Sequence, residues 1–158
     1  MKARDLMVPV NAFLMPGDSV EEFFTNIRVV RSWEKTCGIR SLPVLDAEGK
    51  LVGVLSMHDI LKAVYPSYLY ETDLSLFTWD GMLESLAPKI LGKKVAHLMT
   101  KGVITVRDDH PLMECVDHML KHRISTLPVL DHDGKLKGMI YESEVFFAVA
   151  DALFGGKE

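Results

Sequence analysis

Leu42-Pro43-Val44-Leu45-Asp46 recurs further along the chain as Leu127-Pro128-Val129-Leu130-Asp131, and this repetition decides how the rest of the sequence divides. At the same offset Gly49-Lys50-Leu51 meets Gly134-Lys135-Leu136, and Gly53 meets Gly138. Turn and strand positions therefore repeat together, which chance does not supply. Upstream, Lys2, Leu6 and Met7 correspond to Lys94, Leu98 and Met99, and the offset then shrinks because the first copy carries extra residues around Arg31 to Cys37. Two copies of one unit fill the chain, the first over residues 1–65 and the second over 92–158, with an aromatic-rich linker, expected to be partly helical, at 66–91.

Within each copy, local patterning predicts the elements. Ala12-Phe13-Leu14-Met15 and Val103-Ile104-Thr105-Val106 are short apolar runs that read as strands. A helix follows in the first copy, with Asp18 and Glu21 as a capping box and Val20, Phe23, Phe24, Ile27 and Val30 as its apolar stripe. In the second copy Pro111 suits the first helical turn, and Leu112, Met113, Val116, Met119 and Leu120 form the matching stripe. Leu42 to Leu45 and Leu51 to Leu55 flank Asp46-Ala47-Glu48-Gly49, the composition of a tight hairpin turn, and the second copy does the same across Asp131 to Gly134. Last helices begin near Met57 and near Glu142, the second with Val145, Phe146, Val149 and Leu153 on one face. The unit is strand, helix, strand, strand, helix, an α/β (α+β) arrangement. One copy alone leaves apolar surface in water, so the two are expected to pack with pseudo-two-fold symmetry, and faces left over to be covered in a homodimer.

Bulk properties narrow the function classes. The 158 residues are 48% hydrophobic, enough for a core, and no apolar run approaches the roughly 18 residues that cross a bilayer. The reading is a soluble, cytoplasmic protein without membrane contact. A formal charge of -4, with Lys93, Lys94 and Lys101 dispersed, opposes a grip on nucleic-acid phosphates. Cys37 and Cys115 stand in dissimilar contexts and read as reduced thiols rather than a disulfide framework. No phosphate-cradling Gly-Lys-Ser/Thr loop, dinucleotide glycine fingerprint, His-Glu-x-x-His or nucleophile elbow is present, so an enzyme is not expected.

In this order, twice over, these pieces resemble a known family, the cystathionine-β-synthase (CBS) domain. The resemblance rests on the lead-ins Leu6-Met7 and Leu98-Met99, the segments Leu42–Asp46 and Leu127–Asp131, and hairpins ending in strands led by Gly53 and Gly138. It covers nearly the whole chain, and the pair is similar to the family's Bateman module. The resemblance implies a regulatory module that takes an adenosine-containing ligand (AMP, ADP, ATP or S-adenosylmethionine) between its two motifs and signals to a separate, unknown protein. No resident cofactor is implied.

Gly53-Val54-Leu55-Ser56-Met57-His58-Asp59 resembles the family's nucleotide-binding signature of Gly, two apolar positions, Ser or Thr, two variable positions and Asp. With Ser56 at a helix N-terminus, its hydroxyl and the free amides face an incoming phosphate. Asp59, one turn in, offers carboxylate acceptors to ribose hydroxyls. The same spacing is also an ordinary helix cap with no ligand, and a ligand-free dimerisation scaffold is the competing function. The second copy departs from the pattern, with Tyr141 in the Ser position and Glu144 in the Asp position, so one principal site and a degenerate second one are expected. The resemblance also points to Ile39, Arg40, Ser41 and Pro43, with backbone near Ala12 and Phe13, around an adenine ring. Arg40 reads either as a phosphate partner or as an exposed charge, and His58 as solvent-facing. Cys115, His118 and His122 lie on one flank of a predicted helix and raise a metal site as a minor alternative, set against the absence of an evident fourth ligand. The linker, with Tyr68, Tyr70, Phe77 and Trp79, is too apolar for a tether and is expected to cover the protein's own core, a lid or partner surface being the alternative.

Overall fold

The computed structural model describes residues 1–33, 41–75 and 77–155, with side chains outside 28–33. The first repeat runs α1 (Ala3–Leu6), β1 (Val8–Pro9), α2 (Val20–Trp33), β2 (Ser41–Leu45), β3 (Leu51–Ser56) and α3 (Met57–Val64). The linker holds two 3-10 turns (Ser67–Glu71 and Ala87–Ile90) around α4 (Met82–Leu86). The second repeat follows as α5 (Val95–Leu98), β4 (Val106–Arg107), α6 (Leu112–His122), β5 (Thr126–Leu130), β6 (Leu136–Tyr141) and α7 (Glu142–Phe154).

Both hairpins form as the duplicated composition predicts. Gly49 and Gly134 take φ of 81° and 79°, a region that penalises a Cβ. Asp46 Oδ1 accepts the amides of Glu48 and Lys50, and Asp131 Oδ1 those of Asp133 and Lys135, the side-chain turn for which aspartate is suited. The register slips at Val44/Leu45 in one hairpin and at Val129/Leu130 in the other. The duplication thus extends to its irregularities.

The two sheets are completed crosswise. β1, from the start of the chain, pairs antiparallel with β6 of the second repeat, Val8 opposite Met139 and Pro9 opposite Gly138. Thr100, just after α5, bridges Val54 of β3 in the first repeat. Each repeat's lead-in therefore lies on the other repeat's sheet. The cores follow the same exchange: Val95 joins Leu14, Phe23, Leu42, Val44 and Leu55 in one cluster, while Ala3 joins Val106, Cys115, Leu127, Val129 and Ile140 in the other. The two glycines leading the third strands admit this crossing. A Cβ on Gly53 would stand 2.8 Å from Met99 Sδ and 2.9 Å from the Thr100 carbonyl oxygen, and one on Gly138 would stand 2.8 Å from the Val8 carbonyl oxygen.

Several sequence expectations are corrected locally. The Ala12–Met15 strand is reduced to one bridge, Leu14 with Val44, and the Val103–Val106 strand to Val106–Arg107. Asp18 and Glu21 do not form a capping box: Asp18 Oδ2 accepts the Met15 amide, and Glu21 Oε1 reaches across to the Gly92 amide at 2.9 Å. Pro111 is the N-cap of α6 rather than a residue of its first turn. Of the expected stripes, Val20, Phe23, Met119 and Val145 are buried, but Phe24, Met113, Leu120, Phe146, Val149 and Leu153 are exposed; helical spacing placed them together, and nothing among the described residues covers them. The linker is pinned by buried Leu69 and Ile90, and Ile90 belongs to the first core. Its Tyr68, Tyr70 and Trp79 stay exposed.

Candidate ligand cleft between the repeats

β3 ends in Ser56, whose extended backbone makes it the N-cap of α3. Its Oγ accepts the Asp59 amide at 3.1 Å, while Asp59 Oδ2 accepts both the Ser56 amide and the Ser56 hydroxyl at 2.9 Å. This is a complete capping box. Asp59 is only 9% exposed, a location a carboxylate tolerates because donors surround it. The third donor comes from the other repeat: Thr100 Oγ1 donates to Asp59 Oδ1 at 2.9 Å. The backbone bridge of Thr100 with Val54, 2.9 and 3.1 Å in its two hydrogen bonds, holds that hydroxyl in place.

Ser56 and Asp59 line a cleft of about 810 Å³, within the range of small-molecule sites. Across it stand Thr100, Gly102, Val103 and Ile104, then His122, Arg123, Ile124, Ser125 and Thr126 of the second repeat. Val103 and Ile104 supply apolar wall; Arg123 and the imidazoles of His58 and His122 supply donors. Arg123 ends α6 with φ 53°, the one non-glycine residue with positive φ among the described residues. At the floor, Ser41 donates to Thr126 at 3.0 Å; these are equivalent positions of the two repeats, 85 residues apart, so the pseudo-two-fold axis passes between their hydroxyls. The cleft thus presents polar groups and an apolar wall drawn from both repeats.

Of the residues singled out from sequence, the structure brings Ser41, Ser56 and Asp59 to this cleft. His58 lines it as well, exposed as expected. Pro43 is fully buried within β2, and Ala12 packs on the first core with Phe13 half-exposed beside it; none of the three is among the cleft's lining residues. Ile39, Arg40 and Cys37 lie outside the described residues. Tyr141 caps α7 without a side-chain cap bond and is 7% exposed, and Glu144 sits half-buried a turn later. Cys115, His118 and His122 do not converge. The Cys115 thiol faces the core against the Pro111 carbonyl, and burial pushes it up from its ordinary pKa, with the Glu114 charge adding. His118 stacks on His122 at 5.9 Å and lies 3.9 Å from Glu114. Among the described residues no group of three His, Cys, Asp or Glu side chains is placed to hold a metal ion.

Sequence reasoning missed Thr100, Val103, Ile104 and Arg123. The signal was available in the duplication, since Val103 and Ile104 belong to the stretch equivalent to Ala12 and Phe13. The apolar wall facing Ser56 and Asp59 comes from the copy in the second repeat, because the lead-ins cross.

Two crossed repeats enclosing a cleft with the Ser56–Asp59 capping pair define a tandem-repeat α+β fold. The CBS domain family model matches residues 3–66 and 95–151, and the chain belongs to that family. It is 36% identical over 114 residues to the chloroplastic CBS domain-containing protein CBSX2 of Arabidopsis thaliana, covering 68% of this chain and 48% of that protein, about half its length. It is 32% identical over 136 residues to the uncharacterized protein MJ1426 of Methanocaldococcus jannaschii, covering 78% of this chain and 80% of that one. Among solved structures, CBSX2 in complex with AMP superposes with a TM-score of 0.68 at 28% identity, over 96% of this chain and 98% of that one. The cytosolic domain of the Mg2+ channel MgtE in complex with ATP gives 0.65 at 26% identity, over 93% of this chain and 48% of that one. Among the described residues no helix is long and apolar enough to cross a membrane.

Proposed function

We propose that this chain is a non-catalytic regulatory module, built of motifs at 1–65 and 92–158, that binds an adenosine-containing ligand between its repeats and transmits its presence to a separate protein. The observation that carries this reading is the near-buried Asp59 carboxylate on a cleft of about 810 Å³ whose opposite wall belongs to the other repeat. Asp59 and Ser56 face ribose hydroxyls, Val103 and Ile104 flank the base, and Arg123 faces phosphate or another charged end. The AMP and ATP complexes of the two structural relatives support the ligand class. Tyr141 and Glu144 make the symmetry-related position a degenerate site.

The module works as a homodimer in the cytoplasm, its partner surface being the uncovered helix faces. α7 leaves Phe146, Phe147, Leu153 and Phe154 exposed, and α3 leaves Met57 and Leu61, large apolar side chains that a second copy would take out of water. This same face supports the second reading, a ligand-free dimerisation scaffold in which Ser56 and Asp59 only cap α3.

A thermal-shift panel of AMP, ADP, ATP and S-adenosylmethionine on wild type and Asp59→Ala separates the two. A ligand at 100 times its dissociation constant adds about 2.7 kcal/mol, which moves the midpoint by several degrees at about 2–4 °C per kcal/mol. A rise for one ligand, lost in Asp59→Ala, establishes the sensor. No rise for any of the four, with the protein sedimenting as a dimer, leaves the scaffold.

A further inference from the structure

The hydrogen bonds of Asp59 limit what the carboxylate can accept. An ionised carboxylate has about four lone-pair positions. Oδ2 already receives two donors, the Ser56 amide and the Ser56 hydroxyl, both at 2.9 Å. Oδ1 receives the Thr100 hydroxyl at 2.9 Å. About one position, on Oδ1, remains for a ligand. A single hydroxyl fits without rearrangement, whereas a pair of adjacent hydroxyls needs one internal donor to withdraw.

Thr100 is the donor that can withdraw at least cost. The Ser56 amide is fixed by the chain, and the Ser56 hydroxyl is held twice, accepting the Asp59 amide while donating to its carboxylate. Thr100 holds Asp59 by its side chain alone, its backbone being secured independently on Val54, and it is exposed at the cleft wall, where a freed hydroxyl meets water or ligand. The internal duplication offers a comparison. The strand partner equivalent to Thr100 is Val8, opposite Met139, and the positions equivalent to Ser56 and Asp59 are Tyr141 and Glu144. All three polar members differ together in the copy that departs from the signature, which ties Thr100 to the same function as the other two.

We propose that Thr100 is an internal competitor for the cleft's ligand: its hydroxyl occupies the Asp59 Oδ1 position that the second hydroxyl of a vicinal diol requires, and so sets both the affinity for diol ligands and the margin over single-hydroxyl ones. This inference rests on the nucleotide reading of the cleft and adds a specificity-determining residue from the opposite repeat. Binding a diol exchanges a bond between repeats for a bond to the ligand.

The test is calorimetric titration of AMP and 2′-deoxy-AMP into wild type, Thr100→Val, Thr100→Ala, Thr100→Ser and Asp59→Ala. Removing the competing hydroxyl frees a charge-assisted acceptor, so Thr100→Val and Thr100→Ala are expected to bind AMP about tenfold tighter than wild type. The gain shrinks to within about twofold for 2′-deoxy-AMP, which presents one hydroxyl, and Thr100→Ser binds as wild type does. AMP binding that is lost in Asp59→Ala but unchanged or weaker in Thr100→Val and Thr100→Ala overturns the competition and leaves the nucleotide site standing. Equal tightening for both nucleotides overturns the diol argument. Binding of AMP untouched by Asp59→Ala, or no binding of AMP by any of the five proteins, overturns the nucleotide reading and this inference with it.

Discussion

Gly53 and Gly138 face backbone that arrives from the other repeat, and a methyl group at either point has nowhere to go without moving it. At Gly53 the flexible Met99 thioether can yield, but the Thr100 carbonyl at 2.9 Å cannot do so without disturbing its bridge to Val54. Gly53→Ala is therefore expected to lower unfolding stability by about 1–3 kcal/mol in urea titration, the usual cost of overpacking, with accelerated hydrogen exchange at the Thr100 and Val54 amides as its local sign. A loss confined to a few tenths of a kcal/mol, without that exchange change, would mean the lead-in is not held against Gly53. The repetition of these two glycines was legible in the sequence, but their reason was not, because the atoms they make room for lie on the far repeat.

The hairpins show how much one element can be read from its own residues. Asp46 and Asp131, each followed by a glycine at the left-handed position, are a local solution that needs nothing from the rest of the chain. At Asp131 the Lys135 amide bond is the largest cause that holds the carboxyl below its ordinary value, helped by the Asp133 amide and the charges of Lys137 and Lys135. A lowered folded-state pKa contributes stability above the unfolded value of about 3.9 and loses it as pH falls through the folded pKa. Asp131→Asn retains the acceptor and removes the titration, so thermal midpoints between pH 2 and 5 should fall less steeply with acid than in wild type; an unchanged slope would place the acid sensitivity elsewhere. Helix starts were equally local: α3 begins at Met57 and α7 at Glu142, where the sequence put them. Helix faces were not. The spacing of Met113 and Leu120, or of Phe146 and Leu153, marks an apolar face but cannot say what covers it, and among the described residues these side chains are exposed.

At the scale of the molecule, the crossed lead-ins join two small cores that would each be incomplete. Ala3 is fully buried in the second core, with Leu6 and Met7 packed beside it, and Val8 supplies an edge partner to Met139. Deleting residues 1–9 should therefore destabilise the distant half of the sequence first: amides of Gly138 to Ile140 lose protection in hydrogen exchange while those of β2 and β3 keep theirs. Loss of protection in β2 and β3 first would show that each repeat is completed by its own lead-in. The cleft depends on the same crossing, because Thr100 reaches Asp59 only through the lead-in that leaves the second repeat to lie on β3.

The sequence by itself determined the two-fold duplication, the strand–helix–strand–strand–helix order, both hairpin turns and the Ser56–Asp59 capping pair, since each is set by residues a few positions apart. Only the tertiary structure decided which repeat completes which sheet, which helix faces stay uncovered, and that the cleft holding Asp59 is lined from the second repeat by Thr100, Gly102, Val103, Ile104 and Arg123 to Thr126, with Ala12 and Phe13 not among its lining residues. The physical reason is the pseudo-two-fold axis itself: equivalent segments carry nearly the same local signal, so pattern alone cannot distinguish packing on one's own repeat from packing on its copy.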